Sequence, residues 1–145
     1  MINKIKNRMA SEQGFTLIEL LVVIVILGIL VAIAVPSYLS FRGKAAQAAA
    51  EANVRSAIPA AESYYQDDST TTGGQGTYTG ISNAKLVGEA PGVSPTVTAA
   101  VKTASNQGYC MQSITSGSTY HYEGGTGGAS VIATGACPTG YGTQA

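Results

Sequence analysis

The chain has 145 residues, 45% of them hydrophobic and only 11% charged, with as many acids as bases. So low a charge density, together with 18 glycines, suits an extracellular or assembled protein better than a cytosolic enzyme. Beyond the N-terminal region no basic block exists to track phosphates, which excludes nucleic acid as a partner class.

Residues 1–14 hold Lys4, Lys6 and Arg8 against Glu12, whereas the remainder holds five bases against seven acids. From Leu20 to Phe41 there is no charge. A helix over this run is roughly 33 Å long, enough to cross a bilayer. The basic flank comes first, so the N-terminus stays in the cytoplasm and the body lies outside. An ordinary secretory signal would offer Ala32-Ile33-Ala34 for cleavage, but its apolar core is shorter, about 7–15 residues. A plain membrane anchor explains the length and leaves Glu19 without a purpose. An acid at mid-membrane costs about 2.5–3.5 kcal/mol, a cost that snorkelling softens near the start of the run.

A third arrangement uses every unusual residue. The stretch "GFTLIE", Gly14 to Glu19, follows a short basic leader and opens an aliphatic run that reaches Pro36. It resembles the class III signal of type IV pilins and of the type II secretion pseudopilins. The resemblance implies that a prepilin peptidase cuts between Gly14 and Phe15 and then N-methylates Phe15. Gly14 suits that step, because a residue without a side chain leaves the helix easily for an extended pose. The resemblance also implies a role for Glu19 in assembly: its carboxylate pairs with the Phe15 amine of a neighbouring subunit. A Phe15–Glu19 contact within one chain competes, since residues four apart share a helix face. The helix dipole alone favours an acid in the first turn by about 0.3–1 kcal/mol. The implied partners are copies of the chain itself, the peptidase, inner-membrane assembly platform proteins, and membrane lipid before assembly.

Within the apolar run, residues 28–36 read "GILVAIAVP". Gly28 costs about 1 kcal/mol relative to alanine in a helix, and Pro36 cannot donate a backbone hydrogen bond. The intervening Ile29, Val31, Ile33 and Val35 are β-branched. In lipid the segment is expected to be helical, because each unpaired backbone group there costs several kcal/mol. In a filament it is expected to unwind in part, as the resemblance also suggests.

Beyond Phe41 the helix continues to about Gln66. Ala50, Val54, Ala57, Ala61 and Tyr64 form one apolar stripe at alternating spacings of four and three. Glu51, Arg55, Glu62 and Gln66 fall elsewhere, with Glu51–Arg55 a favourable pair one turn apart. Pro59 lies on the polar side, where it is expected to bend the helix. Phe15, Tyr38, Phe41, Tyr64 and Tyr65 along the helix suit packing between subunits.

The region after Asp67 changes character. "DDSTTTGGQGTY" is loop by composition. Four short runs have strand character: Thr96–Lys102, Tyr109–Thr115, Thr119–Glu123 and Ser130–Thr134. Their connections "SNQG", "SGS" and "GGTGG" read as hairpin turns. Cys110 and Cys137 are the only cysteines, and an even count behind an export-like segment favours a disulfide between them. The loop they close is worth roughly 3.6 kcal/mol by the chain-entropy model. About 78 residues after the helix are too few for a generous core, so helix and bridge are both needed.

Chemical constellations are scarce. His121, the single histidine, reads as packed or surface rather than catalytic. No metal site or cofactor is expected, and Asp67-Asp68-Ser69 reads as a solvated helix end. "GGTGG" lacks the lysine of a phosphate loop.

The expected fold is α+β: a long N-terminal helix, membrane-spanning then amphipathic, packed on a small antiparallel sheet with a disulfide-tied C-terminal region. The expected organisation is a cleaved leader (1–14), an apolar assembly helix (15–41), an amphipathic helix (42–66) and a β-rich head (67–145). The expected role is non-enzymatic: a subunit, most simply the major one, of a type IV pilus-like filament, first membrane-inserted and then on the cell surface. A pseudopilin, a minor pilin, and a secreted binding domain with an ordinary signal are the alternatives.

Overall fold

The computed structural model describes residues 14–71 and 73–142. The leader expected at residues 1–14 therefore lies outside the described residues except for Gly14. Contacts divide the chain into two units at Ser40 and Phe41. Helix α1 (Leu17–Gln66) begins in the first unit and ends in the second. It is followed by α2 (Asn83–Glu89), β1 (Val97–Val101), β2 (Gly108–Thr115), β3 (Ser118–Gly125) and β4 (Ile132–Thr134).

From Leu17 to Ser40 the first unit is apolar helix. Its large side chains, from Leu17 to Leu39, are all exposed. Gly28 and Pro36 both lie within α1, which remains helical between them. Just past the end of the β-branched run, the Ser37 hydroxyl donates to the Ile33 carbonyl at 3.3 Å. This is a common way for a serine to bond the preceding turn of its own helix.

The second unit begins where α1 starts to bury residues. Ala50, Val54, Ala57, Ala61 and Tyr64 are buried, as the stripe predicts, and Ala46 and Ala60 join them. Alanine is the best helix former, and its small side chain lets the sheet approach closely. Pro59 is exposed, and α1 continues through it to Gln66.

The sheet is antiparallel with strand order β1-β2-β3-β4. All four expected strands agree with the sequence reading to within two residues at each end. The β2–β3 hairpin turns on Ser116 and Gly117, both at positive φ (48° and 85°), the geometry of the favoured two-residue turn. β4 starts later than expected because Ser130 has φ 55°, which is not extended; its N–H instead donates to the Glu123 carbonyl at 2.8 Å. α2 is not foreseen in the sequence reading. Two turns are too short for an apolar period, and Ser82 at its start makes no side-chain cap; the buried Leu86 is what fixes it.

Alternation along the strands gives the sheet two different faces. Val97, Ala99, Tyr109 and Met111 meet Ala57, Ala61 and Tyr64 of α1 in the core. Cys110 and Gln112 point the other way. Cys110 is bonded to Cys137 with Cα atoms 6.0 Å apart, as expected. The Cys137 N–H also donates to Gln112 Oε1 at 2.9 Å, so the C-terminal segment is strapped across this outer face. β2 is consequently buried on both sides from Gly108 to Met111.

One carboxylate ties the layers together. Tyr109 donates its hydroxyl hydrogen to Glu62 Oε1 (2.9 Å) and Tyr78 donates to Oε2 (3.0 Å). Those rings belong to a row: centroids are 5.0 Å apart for Tyr65–Tyr78, 4.4 Å for Tyr78–Tyr109 and 6.1 Å for Tyr109–Tyr122. The Tyr109 ring crosses β3 at Gly124, where any side chain would collide with it. Tyr64 is buried with its hydroxyl on the Thr79 carbonyl (2.6 Å), and the Tyr65 hydroxyl donates to Gln107 Oε1 (2.9 Å). These two aromatics therefore pack within the chain, contrary to the expectation that they serve contacts between subunits.

Desolvation, with the Glu62 charge beside them, raises the phenol pKa values of Tyr109 and Tyr78 above the ordinary 10.0. The folded chain thus holds these protons more tightly than the unfolded chain. Their contribution to stability is complete below about pH 10 and is lost as pH rises beyond it. Glu62→Ala removes the acceptor of both hydroxyls and is expected to cost about 1–3 kcal/mol for each one left unpaired in the core. Urea melts of the two proteins, followed from pH 7 to 11, check this: parent stability should fall at the alkaline end, and Glu62→Ala should already be weaker at pH 7.

Candidate functional site

The site with the strongest chemical signature is the start of α1. Thr16 stands just outside the helix and Glu19 is in its first turn. The Glu19 N–H donates to Thr16 Oγ1 at 3.3 Å, and the Thr16 N–H donates to Glu19 Oε2 at 2.8 Å. This is a capping box, in which two orphan donors of a helix end are satisfied reciprocally. The Thr16 hydroxyl adds a bond to the same Oε2 at 2.7 Å. The signal was present in the sequence as Thr-x-x-Glu, Thr16 to Glu19, and the sequence reading above does not use it. Glu19 thus has a partner within its own chain, and that partner is Thr16. The described residues bring Gly14, Phe15, Thr16 and Glu19 together around one shallow hollow.

Next to this polar corner the surface is greasy. Phe15 is 86% exposed, and Phe15, Ile18, Val22 and Val23 line a groove that has Glu19 at its edge. The apolar segment has a mean hydropathy of 3.2, and none of it is buried. A monomer in water rarely shows apolar patches beyond a few hundred Å², so this surface is made for lipid or for other chains.

The remaining expected residues lie apart from it. Cys110 and Cys137 form the outer strap of the head. His121 Nδ1 lies 2.9 Å from the Gly135 carbonyl, and Nε2 lies 3.9 Å from Glu123 Oε1. Glu123 in turn accepts the Tyr141 hydroxyl at 2.7 Å, so these side chains bind the last segment to β3. Asp67 Oδ1 accepts the Ser69 N–H at 2.9 Å, a local turn. Among the described residues no three His, Cys, Asp or Glu side chains gather as a metal site would need.

Comparison with known proteins bears on the same region. A family profile described as "Prokaryotic N-terminal methylation motif" matches residues 9–35. The "Type IV wide pilus major component PilA4" of Thermus thermophilus is 35% identical over 112 residues, which is 77% of this chain and 79% of that protein. A match of that length takes in part of the helix and part of the head. The chain belongs to the type IV pilin family. Two further relatives match over shorter stretches. The "Type IV narrow pilus major component PilA5" of the same organism is 60% identical over 48 residues, 31% of this chain and 41% of that protein. The "Type IV major pilin protein PilA" of Myxococcus xanthus is 40% identical over 56 residues, 39% of this chain and 26% of its own length. The chain thus spans about a quarter of the Myxococcus protein. As a type IV pilin it is inserted in a membrane by its N-terminal helix and ends in an extracellular pilus.

Thr16→Ala removes the cap and leaves Glu19 without its local donor. Loss of a threonine cap costs about 0.5–2 kcal/mol. In micelles, amide exchange at residues 17–19 is expected to quicken several-fold while the middle of the helix keeps its protection.

Proposed function

We propose that this pilin is a major, polymerising subunit of a type IV pilus, and that its apolar helix is the assembly element. The observation that carries this is the fully exposed apolar surface of the first unit, with the methylation motif at its head. In the membrane, lipid covers that surface. In the fibre, the same segment of neighbouring subunits covers it. The helix satisfies its own backbone in either setting. The relatives that carry "major" in their names favour this over a pseudopilin.

Processing follows from the same motif. Prepilin peptidase cuts between Gly14 and Phe15, removes the basic leader of residues 1–14, and methylates the new Phe15 amine. The apolar helix (15–41), the amphipathic helix (42–66) and the head (67–145) remain. That amine introduces a positive charge at the greasy end of the molecule, and Glu19 answers it across the boundary between subunits. Thr16 keeps the carboxylate hydrogen-bonded until then, which lowers the cost of holding it near the hydrocarbon. Residues 28–36 lose part of their helix on assembly, giving the fibre slack between Gly28 and Pro36. The role is structural, and assembly platform proteins at the inner membrane feed the subunit into the growing fibre.

Mass spectrometry and electron microscopy of sheared surface filaments test this together. The chain should be found there, beginning at methylated Phe15; a start at Val35 would mean an ordinary signal peptide, and a start at Met1 an uncut anchor. Glu19→Val should be cut and inserted normally yet give few filaments; parental yield would sink the pairing. A fibre map with unbroken helix through Gly28 and Pro36 would overturn the unwinding.

A further inference from the structure

Residues 14–16 lie outside helix α1, which begins at Leu17. In a longer helix the Gly14 carbonyl would accept the Ile18 N–H and the Phe15 carbonyl the Glu19 N–H. Among the described residues no hydrogen bond reaches either carbonyl. The Glu19 N–H turns to Thr16 instead, donating to its carbonyl at 3.1 Å and to its hydroxyl at 3.3 Å. The Thr16 N–H, which a longer helix would need for itself, is taken by Glu19 Oε2 at 2.8 Å. Together these bonds stop the helix at one residue.

An open peptide bond results. A Cβ placed on Gly14 would meet nothing within 4 Å among the described residues, and Phe15 is almost fully exposed. Only Phe15 and Thr16 separate the Gly14–Phe15 bond from the first helical residue, at most about 7 Å of chain. Fraying of the first turn would release about four more residues and let the bond wander relative to the helix. Enzymes tolerate little of this, since a misplacement of about 1 Å can cost about 100-fold in rate.

We infer that Thr16 is a positioning residue for leader cleavage: its hydroxyl fixes the start of the helix and so holds the Gly14–Phe15 bond at a set distance from it. Thr16 acts through the backbone of the substrate and not on the reacting atoms. The inference rests on the processing proposed above and adds to it the residue that presents the bond. It also divides the labour within the motif. Glu19 answers charge in assembly, whereas Thr16 sets the geometry of the cut. The bond accepted by Thr16 Oγ1 comes from the backbone of residue 19, so it survives Glu19→Val.

The full-length chain in proteoliposomes with purified prepilin peptidase tests this, with kcat and KM measured for each variant. Thr16→Ser and Thr16→Asn keep a capping oxygen, whereas Thr16→Val keeps the shape and loses it. Thr16 is exposed in the first unit, so none of these changes touches the core of the head. Thr16→Val should lower kcat/KM about five-fold, the factor a typical cap is worth. The loss should fall on KM, because only molecules with the helix start formed bind productively. Thr16→Ser and Thr16→Asn should stay within about two-fold of the parent, and amide exchange at residues 17–19 should quicken in Thr16→Val alone. Parental or faster cutting of Thr16→Val would overturn the inference, because a frayed end would then serve as well. So would slow cutting of Thr16→Asn with a protected helix start, which would make Thr16 a direct contact of the enzyme. A parent chain left uncut would remove the processing reading and this inference with it; a parent cut normally beside an unaffected Thr16→Val would remove this inference alone.

Discussion

A backbone surrounded by hydrocarbon has no water to bond, and that constraint shapes this molecule first. Only a helix lets the segment from Leu17 to Phe41 satisfy its own amides and carbonyls in a bilayer. The chain forms such a helix despite Gly28, Pro36 and a run of β-branched residues that would weaken it in water. The side chains then present a surface that nothing among the described residues covers. Membrane insertion and polymerisation are two answers to that single problem, which is why one element serves both stages of a pilin's life.

The head solves a different difficulty. Its sheet has four short strands and cannot bury much on its own. An alanine stripe lets α1 lie close to one face, and a disulfide straps the C-terminal segment over the other. At the exposed edge of this core Glu62 takes the hydroxyls of Tyr78 and Tyr109 on its two oxygens. A second polar contact lies further along, where Asn53 reaches Thr96 at 3.1 Å and Ser113 at 3.4 Å. Such directed bonds fix how the sheet is oriented on a smooth alanine surface, which by itself specifies little. Ser113 is fully buried, so it depends on these partners.

Charge is sparse along α1, and each charged group is correspondingly informative. Glu19 is held by Thr16 at the helix start, and Glu51 and Arg55 hold each other near the other end. Both arrangements tie a charged side chain to a neighbour in its own chain. Such a bond lowers the rotamer entropy left to lose in any further contact. It also means that a local bond and an assembly contact need not compete, since a carboxylate has two oxygens and accepts more than one donor.

Much was legible in the chain itself. Residues near in sequence determine a helix, a cap or a hairpin, so the length of α1, the buried stripe from Ala50 to Tyr64, the four strands and the pairing of Cys110 with Cys137 could all be read from periodicity, turn residues and counting. The family signature was legible for the same reason, being six consecutive residues from Gly14 to Glu19. The capping role of Thr16 was equally readable as Thr-x-x-Glu. The tertiary structure decided what periodicity could not carry. Glu62 is solvent-facing, as its place off the apolar stripe implies, and only the fold brought Tyr78 and Tyr109 to its carboxylate; α2 took its short helix from the burial of Leu86; and Tyr64 and Tyr65 turned inward because the loop at Gly76–Thr79 and Gln107 supplied their partners. Those outcomes depend on contacts between distant segments, and the energy of such a contact exists only once the chain has folded to bring both sides together.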